Sequence, residues 1–283
     1  RRWGSSVTTA CRVRTRFCSM PDVAAVGLSV IRARAAPIAV VLRQGPTKQV
    51  RMIRWRLDTD DFERGQWLAG RVYPERCDVS PDGRFFVYFA MRRGHTWNAI
   101  SRPPHFTPLA VWEEPGTWGG GGVWVSKTEL HLRANPALMP LDPKYTLPSW
   151  LQLGWHTTAF ERDGWAPLDP SENAGPLHGA KPHVTLSGFE LQRRPAPAID
   201  AGASSDRHAF AFRIVDTKRS RTHELGTADW ADWHPSGDVA IARDGTIVRI
   251  AITHRDLGEP STIADYRADR FDRVPPSPSA SLW

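Results

Sequence analysis

Two stretches of this 283-residue chain repeat each other without a gap, and a repeat constrains the fold more than any other feature here. The first stretch, Asp78 to Val87, reads DVSPDGRFFV, and the second, Asp232 to Ile241, reads DWHPSGDVAI. The copies share an Asp, a Pro and a Gly, and a hydrophobic segment follows in both. Their offset of 154 residues equals three or four units of about 40 to 50 residues. The sequence therefore predicts a fold built from repeated units.

Each copy predicts a tight turn that leads into a β-strand. Proline presets φ for the first half of such a turn, and glycine supplies the positive φ of the second half. An aspartate just before a turn commonly accepts hydrogen bonds from turn backbone N–H groups. We therefore predict structural roles for six residues: Asp78, Pro81, Gly83, Asp232, Pro235 and Gly237. The alternative for Asp78, Asp229 and Asp232 is acid–base catalysis of glycoside hydrolysis, which uses paired carboxylates.

The rest of the chain also favours short strands over long helices. It contains 13 Trp, 24 Pro and 22 Gly, a composition typical of strands separated by turns. Strands are predicted at 38–42, 49–57, 97–101 and 107–112, with hairpin turns near residues 127–128 and 217–219. Residues 135–188 are rich in proline and are predicted to form loops with short strands.

The SPDG turn before a hydrophobic strand resembles the turn that recurs in each blade of the Tol-type and Trp-Asp-repeat propeller families. About 40 residues, in the two repeat segments, carry that resemblance. The strings WGGGG, SRPP and ADWADW also make the chain similar to a family of uncharacterised bacterial proteins, a resemblance that implies no activity. The resemblance to the propeller families implies an all-β fold, a small β-propeller of about five blades. A β-sandwich with a long irregular loop region is the alternative.

The chain is predicted to form one domain at residues 36–270. Residues 1–35 are predicted to be a disordered or non-native leader, and residues 271–283 a flexible Pro/Ser tail. Five of the seven net positive charges lie within residues 1–19, before Met20. We interpret that stretch as upstream sequence that precedes a natural start at Met20. The alternative, a basic nucleic-acid-binding arm, is the weaker interpretation.

Composition and cysteine usage limit the compartment and the partners. A hydrophobic content of 41% and a charged content of 24% are typical of soluble globular proteins. The apolar stretch from 23 to 42 is interrupted by Arg32, Arg34 and Pro37, so neither a signal peptide nor a membrane span is predicted. Three cysteines, two of them in the leader, make a disulfide framework unexpected, which favours the cytoplasm.

No motif in the sequence predicts a cofactor or a metal. The glycine run Gly119 to Gly122 lacks the Lys-Ser/Thr of a phosphate loop and precedes a strand rather than a helix. We expect these glycines to pack against Trp118 and Trp124. The ten histidines include no HExxH pair and no Cys/His cluster at metal-ligand spacing. Cys77 is predicted to be a buried apolar residue.

The residues predicted to bind a ligand are aromatic or basic and lie on predicted loops or at strand ends: Arg102, His105, Trp112, Trp118 and Trp124. Recognition surfaces are enriched in Trp, Tyr and Arg, although the tryptophans also suit core packing between blades. The sequence thus favours a binding or scaffold module for a protein or a small ligand. The alternative is a hydrolase that acts on a carbohydrate or a peptide at the propeller channel, through carboxylates or His105.

Overall fold

The computed structural model describes residues 26–45, 47–133, 139–155, 163–168, 179–196, 210–253 and 256–283. Within these ranges the chain forms twenty β-strands and two short 3₁₀ turns, Pro74–Arg76 and Pro278–Ser281, and no α-helix. The predicted all-β fold is confirmed. None of the helical turns in the described part of the chain is long and apolar enough to cross a membrane.

The strands form five sheets that follow one another along the chain. Sheet 1 contains β1 (Gly27–Arg32), β2 (Ile38–Gln44), β3 (Gln49–Arg56) and β4 (Asp61–Ala69), paired in that order. Sheet 2 contains β5 (Arg71–Val72), β6 (Asp78–Val79), β7 (Phe86–Arg92), β8 (His95–Ser101) and β9 (Pro108–Glu114). Both β5 and β6 pair with β7, on either side of the first 3₁₀ turn.

The remaining sheets come from the second half of the chain. Sheet 3 contains β10 (Gly122–Trp124), β11 (Glu129–Leu132) and β12 (Gln152–Trp155), and β12 runs parallel to β11. Sheet 4 contains β13 (Gly179–Pro182), β14 (Phe189–Pro195), β15 (Phe210–Asp216) and β16 (Arg221–Ala228). Sheet 5 contains β17 (Trp230–Trp233), β18 (Val239–Arg243), β19 (Thr246–Ile250) and β20 (Ser261–Asp265). All pairs in sheets 4 and 5 are antiparallel.

A turn closed by a backbone hydrogen bond occurs in each of the five sheets, and in two of them it carries the repeated sequence. In each sheet a backbone hydrogen bond of 2.8–2.9 Å closes the first turn: Ala33 to Ile38, Ser80 to Phe85, Val125 to Glu129, His183 to Phe189 and His234 to Asp238. The two copies visible in the sequence belong to sheets 2 and 5, so their offset spans three units. Gly83 and Gly237 have φ of 75° and 92°, values that favour glycine.

Neighbouring sheets pack face to face, and their apolar residues form four separate core clusters. In β2, Val40 and Leu42 face sheet 2, whereas Ala39 and Val41 face sheet 5. Sheets 2 and 3 share a third cluster, and sheets 4 and 5 share a fourth. The packing order is therefore 3-2-1-5-4. Sheets 1, 2 and 5 are buried on both faces, unlike the sheets of a two-layer sandwich, which bury one face each.

Described segments at both ends of the chain lie outside residues 36–270 and pack against the sheets. β1 lies inside residues 1–35, and Leu28 is 1% exposed, so the described fold begins before residue 36. Residues 1–25 lie outside the described residues. At the other end, the ring of Trp283 lies 5.8 Å from that of Phe85 and 6.0 Å from that of Trp150. Ala280 is also fully buried, so the tail packs against the sheets.

Candidate functional site

Five strands, one in each sheet, lead into the turns that backbone hydrogen bonds close, and we call them the inner strands: β1, β6, β10, β13 and β17. Side chains at their ends join one sheet to the next. The turns that follow the inner strands are the inner turns. We call the end of the molecule where these turns lie the turn face. Five charged residues near these strand ends form what we call the central cluster: Arg32, Arg34, Asp78, Lys181 and Asp232.

Asp232 connects three sheets through its two carboxylate oxygens. Its Oδ1 accepts the backbone N–H of Trp233 at 2.7 Å. Its Oδ2 lies 2.8 Å from Nζ of Lys181 in sheet 4 and 3.0 Å from Nη1 of Arg32 in sheet 1. The Asp232 side chain is 7% exposed. Each oxygen therefore faces hydrogen-bond donors, as a buried carboxylate requires.

Asp78 has the same role at the matching position of sheet 2. Its Oδ1 accepts the N–H of Val79 at 2.7 Å, and its Oδ2 accepts the N–H of Trp124, in sheet 3, at 2.8 Å. Nη1 of Arg34 lies 3.9 Å from Oδ2. The two aspartates bind the amide that follows them in the strand and a group in the next sheet, so they link sheets.

Arg32 and Arg34 come from the end of β1, a segment that sequence reasoning assigned to the leader. Arg32 also donates to the carbonyl of Trp233 at 2.5 Å, and Arg34 donates to the carbonyl of Trp124. The signal in the sequence is the spacing of the two arginines, two residues apart at the end of an apolar run. Locally it indicates an interruption, because the aspartates that pair with Arg32 and Arg34 lie 200 and 44 residues away.

A second polar group joins sheets 1 and 5 around His234. Nδ1 of His234 lies 2.8 Å from Oγ of Ser236, and Nε2 lies 3.3 Å from Oδ1 of Asp60. Asp60 also accepts from Nε1 of Trp55 at 3.1 Å and pairs with Arg249. These contacts fix the β3–β4 turn against the first turn of sheet 5.

The contacts from Ser236 to His234 and from His234 to Asp60 resemble the Ser-His-Asp triad of a serine hydrolase. The hydrogen bonds of Ser236 and His234, however, are those that stabilise the turn. Nδ1 of His234 also accepts the backbone N–H of Ser236 at 3.2 Å, and Oγ of Ser236 donates to Asp238 at 2.9 Å. In sheet 2 the residues at the same turn positions, Ser80 and Asp82, are hydrogen-bonded as well, at 2.6 Å. The histidine–serine contact therefore has a structural counterpart.

We predict a pH dependence of stability that depends on His234. Burial lowers the pKa of His234, and Arg249 lowers it further, although Asp60 and Asp238 raise it. In the unfolded chain a histidine titrates near pH 6.5. As the pH falls towards and below this value, the unfolded chain binds a proton that the folded chain does not, so stability falls.

The measurement is urea unfolding at pH 7.5, 6.5 and 5.5 for the wild type and for His234→Gln. We expect the loss of stability on acidification to be smaller in the variant. His95→Gln, at the exposed β7–β8 turn, serves as the control and should behave like the wild type. An equal loss of stability in His234→Gln would contradict the prediction.

The glycine run before β10 packs differently from the prediction. A Cβ on Gly120 would lie 2.0 Å from the ring of Phe89, and Gly121, with φ of 119°, lies against Arg76. Oδ1 of Asn98 accepts the N–H of Gly121 at 2.6 Å. The glycines therefore contact Phe89 and Arg76 and not Trp118, which is 89% exposed.

The five residues predicted to bind a ligand lie in three different environments. Trp112 and Trp124 are buried in the core between sheets 2 and 3. Trp118 is exposed in the loop between β9 and β10. Arg102 and His105 lie in the β8–β9 loop, where Arg102 donates to the carbonyl of Leu282 and burial lowers the pKa of His105. The structure does not bring the five together.

Cys77 is buried, and its thiol donates to the carbonyl of Tyr73 at 3.1 Å, which fits the predicted role in packing. Within the described ranges, no group of three His, Cys, Asp or Glu side chains is placed to hold a metal ion.

Comparisons with known proteins give weak similarities. No protein-family model matches the chain, and no curated protein matches it. An uncharacterised protein from Listeria monocytogenes EGD-e is 11% identical, with a TM-score of 0.29 over 86% of this chain and 83% of the other. A chain of a mitotic checkpoint complex is also 11% identical, with a TM-score of 0.26 over 95% of this chain and 88% of the other. At these values neither similarity bears on function.

Proposed function

We propose that the chain is a five-bladed β-propeller, as in the Tol-type and Trp-Asp-repeat families, and that it acts as a binding module through the centre of its turn face. The five sheets would be the blades, and the inner strands would line the channel. The packing order 3-2-1-5-4 supports this arrangement, because blades pack on both faces against their neighbours. Ligands of such folds bind in concave sites where several elements meet.

The observation that best supports a binding function is the burial and hydrogen bonding of the two repeat carboxylates, Asp78 and Asp232. A glycosidase needs a carboxyl group that exchanges a proton with the substrate. The Asp78 side chain is 1% exposed and the Asp232 side chain 7% exposed, and the oxygens of both face backbone amides or cations. His105 lies in the β8–β9 loop. Binding is therefore favoured over hydrolysis of a carbohydrate or a peptide.

The central cluster also leaves cationic side chains within reach of a ligand. The side chains of Arg32, Arg34 and Lys181 are 27%, 31% and 20% exposed. Arg32 and Lys181 each contact sheet 5, and Arg34 contacts sheets 2 and 3. Such preorganisation lowers the entropic cost of binding. The buried thiol of Cys77 fits a reducing compartment, and we propose the cytoplasm.

The experiment is a fragment screen followed by two-dimensional NMR of the full chain. We expect bound fragments to shift the indole N–H of Trp233, which donates to the carbonyl of Lys181 at 3.0 Å, and the amides of the inner turns. Lys181→Met should remove these shifts, whereas Lys144→Met, at a side chain that is 83% exposed in sheet 3's long connection, should keep them. Shifts confined to Trp118 and the β7–β8 turn, or release of product from a peptide or an oligosaccharide, would overturn the proposal.

A further inference from the structure

Arg32 and Arg34 each keep guanidinium N–H donors that the described residues do not bind. The acceptors of Arg32, the Trp233 carbonyl and the Asp232 carboxylate, both contact Nη1. Arg34 contacts the Trp124 carbonyl through Nη2 and faces Asp78 through Nη1. A guanidinium group has five N–H donors in a planar fork. Among the described residues, no acceptor contacts Nη2 or Nε of Arg32, or Nε of Arg34.

The remaining donors belong to side chains that are fixed in place and still accessible. The Arg32 and Arg34 side chains are 27% and 31% exposed, so roughly a third of each faces solvent. Arg32 ends β1 and Arg34 follows it by two residues, so that Arg32 contacts sheet 5 while Arg34 contacts sheets 2 and 3. A planar fork that is already oriented is the arrangement that binds carboxylate and phosphate groups in a bidentate manner.

The charges of the central cluster do not balance. Arg32, Arg34 and Lys181 carry three positive charges, and Asp78 and Asp232 carry two negative ones, which leaves one positive charge. Arg193 is a further cation nearby: burial lowers its pKa to about 10, so it stays charged at neutral pH, and Asp163 and Asp232 oppose the shift. Its guanidinium carbon lies 4.5 Å from the ring of Trp165. Partly buried positive charge of this kind attracts anions.

We infer that Arg32 and Arg34, with Lys181 beside them, bind an oxyanion, the carboxylate or phosphate group of a small ligand. This inference rests on the proposed function and specifies the chemistry of its ligand. The two arginines supply the hydrogen bonds to the oxyanion oxygens. Lys181, whose Nζ lies 2.8 Å from Asp232 and 5.9 Å from the ring centre of Trp165, supplies charge.

The test is calorimetric titration of the full chain with inorganic phosphate in one arm and acetate in the other, at constant ionic strength. We expect saturable binding in at least one arm, and the arm that binds tells which source of oxyanion the site prefers. Arg32→Gln and Arg34→Gln should each weaken binding at least about tenfold, because each removes charge-assisted hydrogen bonds. Arg34→Lys keeps the charge but loses the fork, so binding should also weaken.

The matched control is Arg92→Gln, at the exposed end of β7. It should bind as the wild type does, and circular dichroism shows whether each variant is folded. Equal binding by the wild type and the Arg32 and Arg34 variants, equal weakening by Arg92→Gln, or no binding in either arm would overturn the inference. If neither anion binds but fragments still shift the NMR signals of the inner-turn amides, the ligand is not an oxyanion and the proposed function stands. If fragments bind elsewhere, the proposed function itself fails.

Discussion

Replacing Asp78 with alanine is expected to destabilise the folded protein by about 2–6 kcal/mol. The change leaves two amide groups without their acceptor, those of Val79 and Trp124, which Asp78 binds at 2.7 and 2.8 Å. A buried polar group that loses its partner costs about 1–3 kcal/mol. The cost is high because Asp78, Val79 and Trp124 are all fully buried.

Urea unfolding of the Asp78→Ala variant measures this loss. Asp58→Ala is the matched control, because the Asp58 side chain is 43% exposed and pairs with Arg56 at the surface, a contact that solvent screens. Asp78→Asn keeps one oxygen acceptor and should be intermediate, which preserves the comparison if the alanine variant does not fold. An Asp78→Ala variant as stable as Asp58→Ala would show that the carboxylate does not link the sheets.

Gly120→Ala is expected to destabilise the protein by about 3 kcal/mol, the upper part of the usual range for overpacking. The new methyl group would lie 2.0–2.5 Å from three ring carbons of Phe89. Phe89 is fully buried, and its ring packs 5.0 Å from that of Tyr73, so it has little room to move. Either the ring or the backbone before β10 must shift.

The control for this prediction lies four residues earlier in the same loop. A Cβ on Gly116 would have no atom within 4 Å, so Gly116→Ala should change stability by less than about 0.5 kcal/mol. Thermal and urea unfolding of the two variants gives the comparison. Similar stabilities would mean that the glycine run is not in contact with Phe89.

Local patterns in the sequence predicted the strands and the turns well, because both depend on neighbouring residues. The hairpins near residues 127 and 217 were found as predicted, as β10–β11 and β15–β16. The repeat was found in two sheets only. In the others, the first turn carries different residues, such as the Ala33 and Val125 turns, and only the backbone hydrogen bond is shared.

The central cluster could not be predicted from the sequence, because it depends on contacts between residues far apart in the chain. Arg32 and Asp232 are separated by 200 residues, and no local pattern relates them. Isolated arginines in an apolar stretch indicated a break, whereas in the fold they pair with buried carboxylates. The parallel pairing of β12 with β11 was missed for the same reason, since a long connection precedes β12.

The positions of aromatic residues in the sequence did not predict the candidate site. Trp112 and Trp124 are the kind of residue found at recognition surfaces, but they are equally suited to the core, where both are about 1% exposed or less. Composition cannot separate these two uses. The charged residues that surround the inner strands are more informative once the fold is known.

The most direct test of the link between sheets 2 and 3 is hydrogen exchange at the Trp124 amide. This N–H donates to a side chain of another sheet, Oδ2 of Asp78, at 2.8 Å. In the wild type we expect the Trp124 amide to exchange as slowly as the amides of the buried strand β2. In Asp78→Ala it should exchange much faster than those of β2. Fast exchange at Trp124 in the wild type, or an unchanged ratio to β2 in the variant, would contradict the link between the sheets.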